Sequence, residues 1–142
     1  MKLMMTKFAL SAFTAAFILG NTIFVYAEDT IKTDAQTLCE LVAQKKTLAI
    51  KYSDDPADGE MRVLQPYGVG YTKRRSTLLF GRQISGYSKS VQGDNPLPGW
   101  RNFTLSKIKR AESRGKQFSP EAVPTDAHKF ITEFVCKSDV MK

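Results

Sequence analysis

The sequence predicts a mainly β fold with flanking helices (α+β): a small, strongly bent β-barrel of about five strands, with one N-terminal and one C-terminal helix. Three observations favour this class. Between about residues 48 and 118 the chain divides into short segments with strand-like alternation of apolar and polar residues. Glycine and proline interrupt these segments, which favours a barrel over a flat sheet. Apolar stripes at helical spacing flank them on both sides.

The N-terminal 27 residues have the features of a secretory signal peptide. Two lysines precede a mostly apolar stretch at residues 8–19, and Val25-Tyr26-Ala27 has the small-x-Ala form of a cleavage site. An uncleaved anchor is the alternative, because residues 8–27 are just long enough to span a bilayer. We expect cleavage, which leaves residues 28–142 as one periplasmic or secreted domain with no stable membrane span.

The charge of the expected mature chain is modestly positive. The full sequence has 21 basic and 14 acidic residues, and the signal contains two of the basic ones, so the balance is 19 − 14 = +5. An excess of this size favours anionic partners weakly and does not restrict the fold.

The two cysteines, Cys39 and Cys136, are expected to form one intramolecular disulfide in an oxidising compartment. Cys136 falls opposite the apolar face of its predicted helix, so the bridge requires that helix to end early or the first helix to pack on its outer side. Two free thiols or an intermolecular link remain as alternatives.

Local signals place the elements in order. A capping-box pattern at Thr33-Asp34-Ala35-Gln36 predicts a helix over about residues 34–46. Four strand segments follow, bounded by turn residues: LAIKY (48–52), MRVLQPYGVGY (61–71), TLLFGRQISGY (77–87) and WRNFTL (100–105). A last polar strand is expected within residues 106–118.

The C-terminal segment TDAHKFITEFVCKS is predicted to be an amphipathic helix over about residues 125–137. Its apolar residues recur at positions i, i+3, i+4, i+7 and i+8, which is the spacing of one helix face. They are Ala127, Phe130, Ile131, Phe134 and Val135.

The order of LAIKY, RVLQPYGVG, LLFGRQISGYS, PGWRNFTLSKI and GKQF resembles the WYL domain, and more closely the short stand-alone WYL-like proteins of bacteria. The family's Arg-x-Phe element matches Arg101-Asn102-Phe103, and the proline of its second strand matches Pro66. Of its name-giving triplet, only a leucine is present near residues 76–79. The resemblance implies a small Sm-like barrel and a ligand-sensing module that binds nucleic acids or nucleotides.

Two arginines are candidates for ligand binding because each lies in line with apolar residues of a predicted strand. Arg82 shares a face with Phe80, and Arg101 shares a face with Phe103. The two guanidiniums could converge at the barrel rim and bind a carboxylate or phosphate. Alternatively, either arginine could be a structural cation, paired with an acidic residue such as Glu112, Glu121 or Glu133.

Three further side chains are expected beside these arginines. Gln83 and Tyr67 would be their neighbours in either case. Trp100 could stack on a base or sugar, although filling the core is an equally ordinary role for it and for Tyr67. Three basic runs could follow a phosphate backbone or could be solvated turns. They are Lys73-Arg74-Arg75, Lys107-Lys109-Arg110 and Arg114-Lys116.

The sequence offers little for catalysis. His128 is its one histidine, and no serine or cysteine has an evident base, so we expect no catalytic residue, metal site or cofactor. We therefore expect a non-catalytic exported binding module for an anionic small molecule or polymer, such as a nucleotide or an oligonucleotide. The alternative is a protein–protein interaction module of the bacterial envelope, whose surface would include Tyr87 and the loop to Gly99.

Overall fold

The computed structural model describes residues 29–89 and 96–142. The predicted signal peptide and part of the loop from Tyr87 to Gly99 lie outside these residues. The described chain forms β1 (Asp29–Thr30), α1 (Ala35–Gln44), β2 (Lys46–Tyr52), β3 (Arg62–Tyr71), β4 (Thr77–Ser85), β5 (Gly99–Thr104), β6 (Ile108–Gln117) and β7 (Glu133–Lys137). A short 3₁₀ helix, Leu105–Lys107, joins β5 to β6. The prediction of a mainly β protein is confirmed.

The helix α1 begins and ends where its capping residues require. The side chain of Asp34 accepts a hydrogen bond from the backbone N–H of Thr37 at 2.8 Å, which satisfies one of the free donors of the first turn. Lys45 adopts a left-handed conformation with φ of 54° and ends the helix. One face, with Leu38 and Leu41, is buried against the sheet. Among the described residues, no helix is long and apolar enough to cross a membrane.

The strands form one antiparallel sheet in the order β1-β6-β2-β3-β4-β5. The long strand β3 pairs with three other strands. Strand β4 pairs along one edge of β3, and on the other edge β2 pairs with its first part and β7 with its second part. A register shift in the β3–β4 ladder lies between Pro66 and Gly68, where the sequence predicts an irregularity. No ladder joins β5 to β1 among the described strands, so the sheet is not closed.

The prediction of a C-terminal helix over residues 125–137 is wrong. Residues 125–130 form hydrogen-bonded turns, and β7 then pairs with the second half of β3, with Tyr71 opposite Glu133. Phe130 and Val135, which a helix would bury, are 60% and 46% exposed. The residues Ile131 to Cys136 are mostly β-branched or aromatic and suit a strand, and the free edge of β3 offers the backbone partners that a strand needs.

The disulfide between Cys39 and Cys136 is present and explains why β7 is a strand. It joins α1 to β7 across a Cα–Cα distance of 5.8 Å. A register shift in the β3–β7 ladder places Cys136 opposite Val69 and Phe134 opposite Gly70, so the half-buried Cys136 packs on the face of the sheet that α1 covers, whereas Phe134 packs on the other face. The helical pattern would have placed Cys136 opposite the apolar stripe, so the strand removes the conflict between bridge and burial.

Buried side chains pack on both faces of the sheet. The cluster on the α1 side contains Leu38, Leu48, Ile50, Leu64, Leu79 and Phe103, among others. The cluster on the other side contains Tyr67, Leu78, Phe80, Ile131 and Met141. Because both faces of the central strands are covered, β2 is buried on four consecutive residues rather than on alternate ones.

Candidate functional site

Arg82 lies on the face of the sheet that carries the second cluster, and it is ion-paired. Its Nη1 atom lies 2.7 Å from a carboxylate oxygen of Glu121, one of the acidic partners considered from the sequence. The backbone N–H of Glu121 donates a hydrogen bond to the hydroxyl of Tyr67 at 2.9 Å. Arg82, Glu121 and Tyr67 therefore form one connected polar group at the edge of this cluster.

Tyr67 and Trp100 pack against each other within the same cluster. Their ring centroids lie 4.8 Å apart in an edge-to-face arrangement, and Trp100 also stacks on Phe80 at 5.4 Å. Tyr67 is fully buried, and this burial raises the pKa of its hydroxyl above the ordinary value for tyrosine. Tyr67 is therefore a core residue, whereas Trp100 is half-buried and keeps one side towards solvent.

Arg101 does not join Arg82. The β4–β5 register places Arg82 opposite Trp100 and Arg101 opposite Gly81, and neighbouring positions on a strand point to opposite faces. The two guanidiniums therefore leave different faces of the ladder. The Nη1 atom of Arg101 donates to the carbonyl of Trp100 at 3.0 Å. Burial, and then the charge of Arg62, lowers the pKa of Arg101.

Arg62 is a buried cation that the sequence reasoning did not select. Its guanidinium makes two-pronged contact with the carboxylate of Asp55, with Nε 3.0 and 3.1 Å from the two oxygens. Three aromatic rings surround it, with centroids between 5.4 and 5.6 Å from its central carbon. They belong to Tyr52, Tyr87 and Phe103. Arg62 lies two positions before Leu64, on the same face of β3. The alternation in MRVLQ is therefore the sequence signal that could have identified Arg62 as a core-facing cation.

Gln83 is fully buried and holds the turn that follows β4. Its Nε2 atom donates to the carbonyls of Tyr87 at 2.8 Å and Ser85 at 3.2 Å. This places the ring of Tyr87 beside Arg62. Within the described residues, its Oε1 atom is buried without a hydrogen-bond partner. Gln83 is therefore a neighbour of the Arg62 and Arg101 side of the sheet, not of Arg82.

An open groove of about 700 Å³ runs beside β5 and contains Arg101. Within the described part of the chain, β5 has a single strand neighbour, β4, so its outer edge borders this groove. Trp100, Arg101 and Asn102 line one side, and the turn segment with Asp126 and the exposed ring of Phe130 lines the other. We call this space the β5 groove. It combines one guanidinium, one carboxylate and apolar surface.

A second groove, of about 870 Å³, lies between β2, β3 and the end of β6. Its lining residues are Lys46, Thr47, Val63, Arg114, Gly115, Lys116 and Gln117. None of these described residues is acidic, and three are basic. We call this space the basic groove. The sequence analysis singled out Arg114 and Lys116, but it did not foresee that the start of β2 would place Lys46 beside them.

The other two basic runs lie elsewhere. Residues 73–75 form the exposed turn between β3 and β4, where Arg75 pairs with Glu133 at 3.0 Å. Lys107 and Lys109 are exposed around the start of β6. These two runs line neither groove. The first is an exposed turn, as one of the two interpretations had it, whereas Lys109 and Arg110 of the second lie in β6 and Arg110 pairs with Glu112.

His128 packs between two rings. Its centroid lies 5.7 Å from that of Phe80 and 5.5 Å from that of Phe134, both edge-on. Across residues 29–89 and 96–142, no group of three or more histidine, cysteine, aspartate or glutamate side chains is placed to hold a metal ion. The visible role of His128 is to fill the space between the turn segment and the sheet.

No protein-family model matches the sequence, and no curated protein or solved structure matches it significantly.

Proposed function

We propose that this chain is a non-catalytic binding module that holds an anionic ligand in the β5 groove through Arg101. The observation that carries the proposal is the environment of Arg101: its side chain lines the groove while burial and Arg62 both disfavour its charge. An anion beside the guanidinium would offset both effects, because it replaces lost hydration and opposes the repulsion. The planar guanidinium also fits a carboxylate or phosphate in two-pronged geometry.

The surroundings of Arg101 suit a ligand with an organic part. Trp100 and Phe130 present flat apolar surface within the same groove, and rings of this kind pack against bases, sugars or aliphatic groups. The groove volume of about 700 Å³ falls within the range that small-molecule sites occupy. Arg62 is near enough to Arg101 to repel its charge, and the carboxylate of Asp55 holds Arg62 in the core.

The proposal also includes the barrel type of the fold and the export of the protein. We infer a strongly bent, Sm-like barrel of the WYL type, because the three-residue connection Leu105–Lys107 spans at most about 11 Å yet links β5 at one end of the strand order to β6 near the other. The hydroxyl of Tyr52 also accepts a hydrogen bond from the N–H of Thr104 at 3.1 Å, which joins β2 to the edge strand β5 across the sheet. The disulfide supports export, since such bonds persist in oxidising compartments.

Binding of fluorescently labelled short single-stranded oligonucleotides and of a labelled nucleotide, measured by anisotropy across a salt series, tests the proposal. We expect affinity to fall linearly with the logarithm of salt concentration. Arg101→Ala should weaken binding at least tenfold, and Arg101→Lys should weaken it less. Arg75→Ala is the matched control, because it removes one arginine from an exposed turn outside the groove; its affinity should stay within twofold of the parent.

Unchanged affinity in Arg101→Ala, together with a lower melting temperature, would refute the proposal and identify Arg101 as a structural cation. The thermal melt separates the two roles, because loss of a ligand contact leaves the unliganded protein as stable as before.

A second candidate function is interaction with an envelope protein. The observation that favours it is the exposed Phe130 ring beside the single-partnered strand β5, since exposed aromatics and open strand edges are common features of docking surfaces. Phe130→Ser should abolish co-purification of such a partner, whereas Arg75→Ala, in an exposed turn outside the groove, should leave it unchanged. Co-purification that survives in Phe130→Ser would exclude this surface as the docking site.

A further inference from the structure

We propose that the basic groove is a second binding site, separate from the β5 groove, for a ligand that carries two or more phosphate groups. Lys46, Arg114 and Lys116 bring three cations to one groove, and the described lining residues include no acid. A single monoanion would neutralise only one of these charges. A ligand with several anionic groups neutralises more of them and therefore gains more from the same site.

A bulge in β6 builds this site. Between two successive pairs of the β2–β6 ladder, Lys46 with Gln117 and Leu48 with Ser113, β2 advances by 48 − 46 = 2 residues while β6 advances by 117 − 113 = 4. The extra residues on β6 carry Arg114 and Lys116, which lie away from regular pairing at the groove. Bulges of this kind commonly re-aim side chains at functional sites.

Glycine is required at the centre of the bulge. Gly115 adopts φ of +64°, a left-handed conformation that side chains other than glycine rarely take. The hydroxyl of Ser113 accepts a hydrogen bond from the backbone N–H of Gly115 at 3.4 Å. The motif Ser-Arg-Gly-Lys thus sets the backbone that presents two cations, and Lys46 on β2 supplies the third.

The nearest buried acid does not cancel the charge of the groove. Glu112 is 3% exposed, and its carboxylate lies 2.6 Å from Arg110 and 4.0 Å from Arg114. One negative charge therefore faces two guanidiniums, and the closer contact is with Arg110. The longer contact lies beside the groove, where Lys46 and Lys116 add two further cations.

The floor of the groove suits the organic part of such a ligand. Val63 and the methyl group of Thr47 contribute apolar surface, and the lysine stems add more. The volume of about 870 Å³ exceeds what a phosphate group alone would occupy and lies within the range of small-molecule sites. The site shares no lining residue with the β5 groove, so the two can be disabled independently.

Titration calorimetry of the purified protein with inorganic pyrophosphate and with orthophosphate, at low salt, tests the inference. We expect saturable pyrophosphate binding at least tenfold tighter than that of orthophosphate. The double variant Lys46→Gln/Lys116→Gln should weaken pyrophosphate binding at least tenfold. The matched control Lys107→Gln/Lys109→Gln removes the same total charge from outside the groove and should change the affinity less than twofold.

One further variant separates backbone geometry from charge. Gly115→Ala keeps every charge but strains the bulge, and it should weaken pyrophosphate binding while the melting temperature shows that the fold persists. Both double-lysine variants keep Arg101, so a difference between them reports on the basic groove alone, and failure of this inference is distinguishable from failure of the proposed function. Equal losses in the two double-lysine variants, equal affinities for pyrophosphate and orthophosphate, or no saturable binding would overturn the inference.

Discussion

Asp55 holds Arg62 inside the protein. The carboxylate of Asp55 is fully buried, accepts hydrogen bonds from the Arg62 guanidinium and also accepts one from the N–H of Tyr52 at 2.9 Å. It therefore fixes the turn after β2 and satisfies a cation that is 9% exposed. The pair also holds the Arg62 guanidinium against the rings of Tyr52 and Tyr87 and near enough to Arg101 to add to the effect of burial in lowering its pKa.

Asp55→Ala should lower the free energy of unfolding by about 3–5 kcal/mol, because it leaves a buried guanidinium without its counter-charge. Urea unfolding followed by tryptophan fluorescence measures the change. Glu133→Gln is the control, since it breaks the Arg75 pair, in which both side chains are more than half exposed. That variant should cost less than about 1 kcal/mol. Similar losses in the two variants would contradict the structural role assigned to Asp55.

Removing the disulfide should destabilise the protein strongly, because the bridge closes a loop with a sequence separation of 97. The chain-entropy account gives about 4–5 kcal/mol for a loop of this length. Cys39→Ala/Cys136→Ala, compared with the oxidised parent by urea unfolding, measures the loss. Addition of a reductant should destabilise the parent and leave the double variant unaffected. A double variant as stable as the parent would show that strand pairing alone holds β7.

Gly70→Ala should loosen β7. A Cβ atom at Gly70 would lie 2.5 Å from the carbonyl oxygen of Glu133, closer than such atoms approach, so β7 must shift away from β3. We expect a loss of about 1–3 kcal/mol and faster amide hydrogen exchange over residues 133–137. Gly59→Ala, in a turn where the nearest atom to a new Cβ lies at 3.2 Å, should change stability by less than about 1 kcal/mol. Unchanged exchange in Gly70→Ala would argue against the β3–β7 pairing.

The free energy of unfolding should fall at alkaline pH because the hydroxyl of Tyr67 is buried. Burial raises the pKa of its hydroxyl in the folded protein, so above about pH 10 the unfolded chain loses a proton that the folded protein keeps. The stabilisation is therefore complete below the unfolded pKa and is lost as the pH rises through the folded pKa. Urea unfolding between about pH 8 and pH 11 measures this decline. Tyr67→Phe should be less stable at neutral pH by about 1 kcal/mol and should show a shallower alkaline decline.

Local patterns predicted most of the strands. Alternation and turn residues placed the segments of β2 to β5 to within a few residues, because each of these strands has apolar side chains and is flanked by turn residues. The polar strand β6 was placed only within a broader range. The capping-box pattern at residues 33–36 placed the start of α1 to within one residue, although the capping side chain is that of Asp34 and not that of Thr33. These signals are local, so the sequence alone was sufficient to read them.

The C-terminal element could not be read in this way. Residues 127–135 fit helical spacing, yet the partner that decides their structure is the edge of β3, about 65 residues earlier. The one clue was the position of Cys136, which a helix would have turned away from Cys39. A bridge that is expected on independent grounds therefore constrains secondary structure more strongly than a short apolar pattern does.

The candidate site was predicted in part. Arg101 was expected beside Arg82 at a barrel rim, but Arg101 borders the β5 groove, whereas Arg82 leaves the other face of the sheet and pairs with Glu121. Alternation within each strand was read correctly, whereas the register between strands, which places Gly81 opposite Arg101, has no signal in the sequence. The basic groove was missed for the same reason, since it depends on how β2 and β6 align around a bulge.

The pairing of Cys39 with Cys136 has a consequence for how the protein matures. The chain contains only two cysteines, so an oxidised monomer has a single possible covalent topology and cannot be scrambled into mispaired isomers. An oxidant that meets a chain still being synthesised finds Cys39 alone until the 97 positions that separate it from Cys136 have been added. The only incorrect disulfides that these two cysteines can form are therefore intermolecular. A disulfide isomerase would find no monomer with a wrongly paired disulfide.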